Sequence, residues 1–262
     1  MDDILSVKKL DYNGIFKDVN IKFYRNTFNL ITGSNKCGKS TLIRILCGLI
    51  ETKNTIFYKE NDIYNLSSHD LSSIFSVCLF ENLLSFSYQT VNDEVQYYLD
   101  QTNLTVSERR MKYKYLLKIF NLNKVASNDI SSLTYYEKVK LRVLCSIICT
   151  PEILILDSTF DGLLENEVLE IIDSLKHIGG MTVIVNTHKL DFSCYFDYMY
   201  VFDKGKLLLN GKVLDVLKQD SILNKIGLSL PFMVDLSLKL KYYDLLDKII
   251  LDIDGMVNQL WN

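Results

Sequence analysis

The chain has 262 residues, 48% of them hydrophobic, and is long enough to bury a sizeable core, as one large domain or as a core with smaller lobes. Its formal net charge of -3 offers no positive field for nucleic acid, and no uncharged apolar run approaches the roughly 18 residues that cross a bilayer, which argues against direct membrane insertion. The six cysteines are scattered without a CxxC pair, which argues against a disulfide or metal framework and favours reduced thiols in the cytosol.

Short β-type runs fill the N-terminal part, and a glycine-rich loop follows the third of them. The predicted strands are residues 4–10, 19–23, 28–32 and 55–58. The loop, GSNKCGKST at residues 33–41, matches the pattern G-x-x-x-x-G-K-[ST], and the apolar residues 42–50 predict a helix after it. A strand, a loop and a helix in this order form a phosphate site at the helix N-terminus.

The glycine-rich loop therefore predicts a nucleoside triphosphate site with a magnesium ion. Lys39 would reach the terminal phosphates, and the Ser40 hydroxyl would hold Mg²⁺. Gly33 and Gly38 permit the tight backbone path that such a loop requires. The predicted nucleotide-binding residues of the loop are Gly33, Ser34, Asn35, Lys36, Cys37, Gly38, Lys39, Ser40 and Thr41.

Further along the chain, helical segments alternate with buried apolar strands, which indicates an α/β protein with a mostly parallel sheet. The block from about 85 to 150 is predicted to be a helical insertion into that core, and everything after Val213 is predicted to be helical. The remaining predicted strands are 74–80, 153–157, 181–188, 198–202 and 206–209, and the predicted helices are 91–132 with polar breaks, 134–149 and 166–175.

Two polar residues are predicted at the ends of buried strands. Asp157 ends the strand ILILD, where a carboxylate holds Mg²⁺ through water or through the Ser40 hydroxyl; the other interpretation is a helix N-cap. His188 is predicted to end the next buried strand, where an imidazole can bond the γ-phosphate and sense its loss, although a lone histidine there is often structural. These positions supply a second half of the nucleotide site.

The sequence LTYYEKVKLRVLCSIICTPEILILDSTFDGLL, residues 133–164, resembles the signature-helix, Walker B and D-loop block of ABC ATPases without a gap. Tyr12 resembles the aromatic residue that stacks on adenine, and Glu81 occupies the Q-loop position, where it would contact Mg²⁺. The segment from Thr90 resembles the start of the helical subdomain. The tail from Ile226 resembles the C-terminal extension of the energy-coupling factor (ECF) transporter ATPases.

This resemblance implies a P-loop NTPase core of the ABC type, with an antiparallel β subdomain, an inserted helical subdomain and a short helical C-terminal extension. The ATPase domain would span residues 1–215, with the helical subdomain at about 85–150, and the extension would span 216–262. The chain would bind ATP and Mg²⁺ as half of a head-to-tail dimer, each ATP lying between one chain's P-loop and the other's signature helix. In ECF transporters such a dimer works beneath a membrane-embedded coupling subunit, which implies a peripheral place on the cytoplasmic face of the cell membrane.

Three positions outside the signature depart from the family pattern. Ser158 stands where the family has the glutamate that acts as general base, and the loss of such a base commonly lowers the rate by about 10²–10⁴. Asp161, three residues later, is a weaker candidate for that role. Glu81 replaces the usual glutamine, and Leu164 replaces an aspartate that would give a polar link across the dimer.

The signature itself reads Leu133-Thr134-Tyr135-Tyr136-Glu137. Thr134 keeps a hydroxyl for the γ-phosphate of the opposite nucleotide. Tyr135 and Tyr136 replace the two glycines that let the backbone approach ATP, so their rings would hinder docking. The alternative is that both rings fold outward onto the helical lobe.

In a head-to-tail dimer the defect at Ser158 and the defect at the two tyrosines fall on different nucleotide sites. We therefore expect an ATP-binding, hydrolysis-impaired subunit of a membrane importer for a small nutrient, of ECF type, that needs a different chain as its ATPase partner. The alternative is a regulatory module that uses ATP as a dimer clamp and moves no transporter. A soluble ABC ATPase acting on DNA or RNA is a further alternative, against which the acidic balance argues.

Overall fold

The computed structural model describes residues 2–261, and in that range the smaller of two sheets is antiparallel. Its strands are β1 (Asp3–Tyr12), β2 (Phe16–Tyr24), β4 (Ile56–Tyr58) and β5 (Asn61–Asp62), in the spatial order β2-β1-β4-β5. In β2 the buried Val19 and Ile21 alternate with the exposed Asn20 and Lys22, as expected for a strand with one face on the core. The predicted antiparallel subdomain is confirmed.

The larger sheet is mostly parallel, as predicted. Its strands are β3 (Phe28–Gly33), β6 (Phe75–Cys78), β7 (Ile153–Asp157), β8 (Thr182–Asn186), β9 (Tyr198–Asp203) and β10 (Lys206–Lys212), in the spatial order β10-β9-β3-β8-β7-β6. Every neighbouring pair is parallel except the β9–β10 hairpin. The carboxyl ends of five strands therefore meet at one edge, and the candidate site lies there.

The helices surround this sheet, and three of them form the insertion predicted between β6 and β7. Among the described residues, no helix has the length and apolar character to cross a membrane. The helices are α1 (Lys39–Leu46), α2 (Ser68–Ile74), α3 (Val91–Asp100), α4 (Val106–Ile119), α5 (Tyr135–Ile147), α6 (Glu165–Ile178), α7 (Val213–Leu217), α8 (Asp220–Lys225), α9 (Phe232–Tyr242) and α10 (Ile253–Trp261).

Two apolar cores lie on opposite faces of the larger sheet. In β7, Leu154 and Leu156 pack into the core shared with α5 and α6, whereas Ile153 and Ile155 pack into the core shared with α1 and the smaller sheet. Successive side chains of a strand point to opposite faces, so a continuous apolar run fills both cores. This double burial holds the carboxyl end of β7 in place.

Three predicted boundaries near the site are wrong. The helix predicted at 42–50 begins at Lys39 and ends at Leu46, because Gly48 turns the chain with a φ of +73°. The strand predicted at 181–188 ends at Asn186, so His188 lies in the following loop. The strand predicted at 74–80 covers only 75–78.

The prediction that everything after Val213 is helical is also wrong. Residues 243–252 between α9 and α10 contain no helix. The Ser237 hydroxyl accepts from the backbone N–H of Ile250 and donates to its carbonyl oxygen, both at 3.0 Å, and so ties this segment back onto α9. Because the two residues are 13 positions apart, this contact is tertiary, and no local pattern predicts it.

Candidate nucleotide-binding site

The glycine-rich loop (residues 33–41) leaves β3, which is paired with β9, and enters α1. A Cβ atom at Gly33 would lie 1.9 Å from the carbonyl oxygen of Phe202 in β9. A Cβ atom at Gly38, whose φ is +102°, would lie 2.8 Å from Cγ2 of Ile15. Both positions therefore require glycine, because the loop packs directly on β9 and on the turn between β1 and β2.

The side chain of Lys39 is hydrogen-bonded to the backbone of the loop itself. Lys39 Nζ donates to the carbonyl oxygens of Gly33 and Ser34, at 2.9 Å each, and lies 3.7 Å from the sulfur of the buried Cys37. The Ser34 hydroxyl donates to Asp203 at the end of β9, at 2.6 Å. An ammonium group whose acceptors are backbone carbonyls can exchange them for phosphate oxygens, so these residues fit a nucleotide polyphosphate.

The other predicted residues of the loop and its surroundings lie at the same end of the sheet. Asn35 and Lys36 are exposed at the tip of the loop, and Thr41 is half-buried on α1. Tyr12 is half-buried at the end of β1, and its carbonyl oxygen accepts from the N–H of Ile15, which touches the loop. The structure thus brings Tyr12 and the loop together.

Ser40 and Asp157 meet at this edge, with Asn186 beside them. Ser40 Oγ donates to Asp157 Oδ1 at 3.4 Å, and Asn186 Nδ2 donates to the same oxygen at 2.5 Å. Burial raises the pKa of Asp157, whose side chain is only 3% exposed. The buried Asn186 Oδ1 meets no donor among the described residues.

These donor atoms fit Mg²⁺. A carboxylate, a hydroxyl and an amide oxygen are hard ligands, and Mg²⁺ at phosphate sites takes one or two carboxylates and completes its shell with phosphates and waters. The lack of any cluster of three acidic, histidine or cysteine side chains within residues 2–261 therefore does not count against the ion. Ser40 and Asp157 would hold it, with Glu81 nearby.

Glu81 lies in a single turn after β6 and forms an ion pair with Arg44 of α1. The charge of Glu81 is close enough to raise the pKa of Asp157, in addition to the larger effect of burial. The hydrogen bonds from Asn186 and Ser40 act in the opposite direction. Arg44, the partner of Glu81, also lowers the pKa of Asp157, so the two charges of this ion pair oppose each other there.

Ser158, predicted to stand in place of a general base, lies in the loop after β7, residues 158–164, which we call the D-loop. Ser158 has a φ of +51° and donates its N–H to Asn186. The Asp161 carboxylate accepts from the Thr187 hydroxyl at 3.1 Å and lies 3.7 Å from Nδ1 of the exposed His188. The structure thus brings Asp161 to His188, and Ser158 to the end of β8.

The signature end, residues 133–137, begins with a capping box. The Thr134 hydroxyl donates to a Glu137 carboxylate oxygen at 2.9 Å and accepts from the Glu137 N–H at 3.2 Å. The backbone N–H of Thr134 donates to the same carboxylate oxygen at 2.9 Å. The hydroxyl predicted to meet a γ-phosphate is therefore occupied by its own chain.

The two signature tyrosines contact the catalytic core, so the alternative that both rings fold outward onto the helical lobe is wrong. Tyr135 donates its hydroxyl to the carbonyl oxygen of Asp161 at 2.9 Å. Tyr136 donates to Glu170 of α6 at 2.6 Å. Leu164, next to these contacts, is 66% exposed.

Sequence reasoning missed Arg44, Asn186, Thr187 and Asp203. Asn186 could have been found, because it is a polar residue at the end of a buried strand that pairs with the strand of Asp157. Thr187 and Asp203 carry no comparable signal, since their bonds join parts of the chain that are far apart in sequence.

Comparison with known proteins agrees with this geometry. The sequence profile described as ABC transporter matches residues 16–161. The energy-coupling factor transporter ATP-binding protein EcfA1 of Bacillus subtilis is 30% identical over 255 residues, which cover 93% of this chain and 88% of that protein. An ABC transporter ATP-binding protein of Lactobacillus johnsonii is 27% identical over 94% of this chain, and this chain spans only 44% of its length.

A solved structure has the same fold. CbiO1 from Clostridium perfringens, described as part of the ABC transporter complex CbiONQ, superposes with a TM-score of 0.77 at 24% identity. The match covers 88% of this chain and 96% of CbiO1. The predicted two-sheet core with a helical insertion is therefore confirmed at the level of the fold.

Proposed function

Because the chain belongs to the ABC transporter family of ATP-binding domains, we propose that it is the ATP-binding subunit of an ECF-type importer for a small nutrient. The observation that carries the ECF assignment is the similarity to EcfA1 along 93% of the chain, at 30% identity. Retention of the nucleotide-binding residues supports the ATP-binding role.

In this proposal the loop N–H groups and Lys39 bind the phosphates, and Tyr12 stacks on the adenine. Ser40, Asp157 and Glu81 hold Mg²⁺, which supplies positive charge against the phosphate oxygens. Hydrolysis is impaired because Ser158 offers only a hydroxyl where a base is needed. His188 acts as the residue that responds to the γ-phosphate.

The proposed partners follow from the same assignment. Residues 1–215 would form the ATPase domain and 216–262 a helical extension, and a second, different ATPase chain would complete a head-to-tail dimer. A membrane-embedded coupling subunit would hold this dimer at the cytoplasmic face of the membrane. The different partner is required because a homodimer would carry Ser158 and the signature tyrosines at both nucleotide sites.

The test is recovery of a tagged chain from detergent-solubilised membranes of the cells that make it. We expect an integral membrane protein and a second ATPase to be recovered with it, and the purified chain alone to show nearly no Mg²⁺-dependent ATPase activity. Strong turnover by the chain alone, unchanged in Ser158→Ala, would contradict the impaired hydrolysis.

A second candidate is a regulatory module that uses ATP as a dimer clamp, which Ser158 favours because a site without a base keeps its ATP. Under that candidate the chain is recovered without a membrane subunit, as a dimer that forms only with ATP. The same purification therefore separates the two candidates.

A further inference from the structure

We propose that the signature end is closed by contacts within its own chain, so that the isolated chain binds ATP as a monomer and does not clasp the nucleotide of a second copy. This inference rests on the proposed function, because it concerns the part of this chain that would face the nucleotide of the other chain. It assigns regulatory roles to Tyr135 and Glu137.

The first contact occupies both donors of Thr134 at the signature end. One Glu137 carboxylate oxygen accepts from both the backbone N–H and the hydroxyl of Thr134, at 2.9 Å each. The N-terminus of α5 thus already has an anion bound, supplied by its own first turn. A second anion, such as a terminal phosphate, meets the repulsion of this carboxylate and must displace it.

The second contact covers the D-loop. Tyr135 donates to the carbonyl oxygen of Asp161 at 2.9 Å, and a Cβ atom at Gly162 would lie 3.4 Å from its ring. Gly162 has a φ of +88°, which favours glycine at this turn of the D-loop, and the Tyr135 ring packs against it. In a head-to-tail dimer the D-loop faces the other chain, so the ring occupies a surface that the second copy would need.

The third contact holds the helical insertion against the core. Tyr136 donates to Glu170 of α6 at 2.6 Å, and the Lys140 ammonium lies 4.3 Å from the centre of the Tyr136 ring. Burial raises the pKa of Tyr136, and the hydrogen bond to Glu170 raises it further, so the hydroxyl stays a donor at physiological pH. Three adjacent signature residues therefore contact three different parts of the same chain.

Because Ser158 is not a base, the inference can be tested by measuring whether an ATP-bound dimer accumulates. Without a general base, ATP bound at the loop is consumed slowly, so an ATP-clamped dimer would accumulate if the signature end allowed it to form. If the chain stays monomeric in the presence of ATP, the reason is then the closed signature end and not rapid hydrolysis of the nucleotide.

The experiment is sedimentation velocity with and without Mg²⁺ and ATP, alongside titration of a fluorescent ATP analogue. We expect the wild-type chain to bind the analogue and to remain monomeric. A variant combining Tyr135→Gly, Tyr136→Gly and Glu137→Gln should keep nucleotide affinity and form ATP-dependent dimers. We expect its dimer association constant to be about tenfold higher or more, because the variant lacks the two tyrosine hydroxyl bonds and the charge of Glu137.

A conservative pair of variants guards against misfolding. Tyr135→Phe removes only the hydroxyl and should shift the equilibrium toward dimer in part, whereas Tyr115→Phe, at an exposed tyrosine of α4, should leave it unchanged. ATP-dependent dimerisation of the wild type as strong as that of the variants overturns the inference and leaves the proposed function standing. A folded triple variant that binds the analogue and stays monomeric also overturns it. Failure of the wild type to bind ATP would overturn the proposed function, and this inference with it.

Discussion

The glycine-rich loop and the signature end differ in what their donor groups face. In the loop, the Lys39 ammonium is held by two uncharged carbonyl oxygens, which a phosphate can replace. At the signature end, the donors of Thr134 are held by the Glu137 carboxylate, and Tyr135 is bonded to the D-loop. The loop is ready for an anion, whereas the donors of Thr134 at the signature end are already bonded.

This difference supports the proposal that the chain binds ATP and hydrolyses it poorly. Binding depends on groups that remain available until the nucleotide arrives. Turnover in a head-to-tail dimer depends on a base and on an open signature. Here the base position holds Ser158, and the signature forms contacts within the chain. Substitutions of Ser158, Lys39, Asp157 and Glu81 test this contrast, in decreasing order of expected effect.

Ser158→Glu tests whether the two defects act together. In the wild-type background we expect less than about a tenfold gain in steady-state ATPase rate, because the signature end is closed. When Ser158→Glu is combined with Tyr135→Gly, Tyr136→Gly and Glu137→Gln, we expect the ATPase rate to rise by about 10²–10⁴-fold, the usual contribution of a general base. Ser158→Gln, which matches the size but not the basicity, is the control. An equal gain in both backgrounds would show that the signature contacts do not limit turnover.

Lys39→Ala breaks the loop half of the comparison. Loss of a charge-assisted contact to the phosphates should raise the Kd for ATP by about 100-fold, measured by calorimetry. The control is Lys118→Ala, at an exposed lysine in the last turn of α4, which should leave the Kd unchanged. Equal affinity in wild type and Lys39→Ala would remove Lys39 from the binding site.

Asp157→Asn separates binding from stability. Burial raises the folded-state pKa of Asp157 above its ordinary value, so its ionised form destabilises the fold, and this loss of stability develops as the pH rises through the folded pKa. At pH 7 and without Mg²⁺, the variant should have a Tm higher by about 2 °C, and this gain should vanish below about pH 4.

The measurement for Asp157 is a thermal melt across pH, with Asp173→Asn at an exposed position of α6 as control. Mg²⁺ with ATP should stabilise the wild type more than Asp157→Asn, which reverses the order of the two Tm values. A variant that melts below the wild type at pH 7 without Mg²⁺ would show that burial of the charge is not the dominant effect.

Glu81→Gln is expected to have the smallest effect. The pair with Arg44 is exposed, so the free energy of unfolding should change by less than about 0.5 kcal/mol. The glutamine amide keeps an oxygen toward the site but lacks the negative charge of glutamate. The Mg²⁺ concentration for half-maximal ATP binding should therefore rise about two- to threefold. Asp100→Asn, which breaks the exposed pair with Arg109, is the matched control and should leave the Mg²⁺ requirement unchanged.

Much of the fold could be predicted because its signals are local. The apolar run of β7 is a short local pattern, and its predicted bounds, 153–157, are those of the strand in the structure. The errors fall where local patterns compete with tertiary bonds. His188 lies beyond its predicted strand because pairing with β3 and β7 ends at Asn186, and residues 243–252 leave the helix to bond with Ser237.

The sequence alone predicted a phosphate-binding loop, an acidic strand end beside it, and departures from the family pattern at the base and signature positions. These features depend on residue type and on spacing within a few positions. Only the tertiary structure decided that Asn186 bonds to Asp157, that Ser34 bonds to Asp203 and that Tyr135 lies on the D-loop. Tyr135 and Asp161 are 26 positions apart, and Ser34 and Asp203 are 169 positions apart, so only the packing of strands and helices brings their atoms into contact.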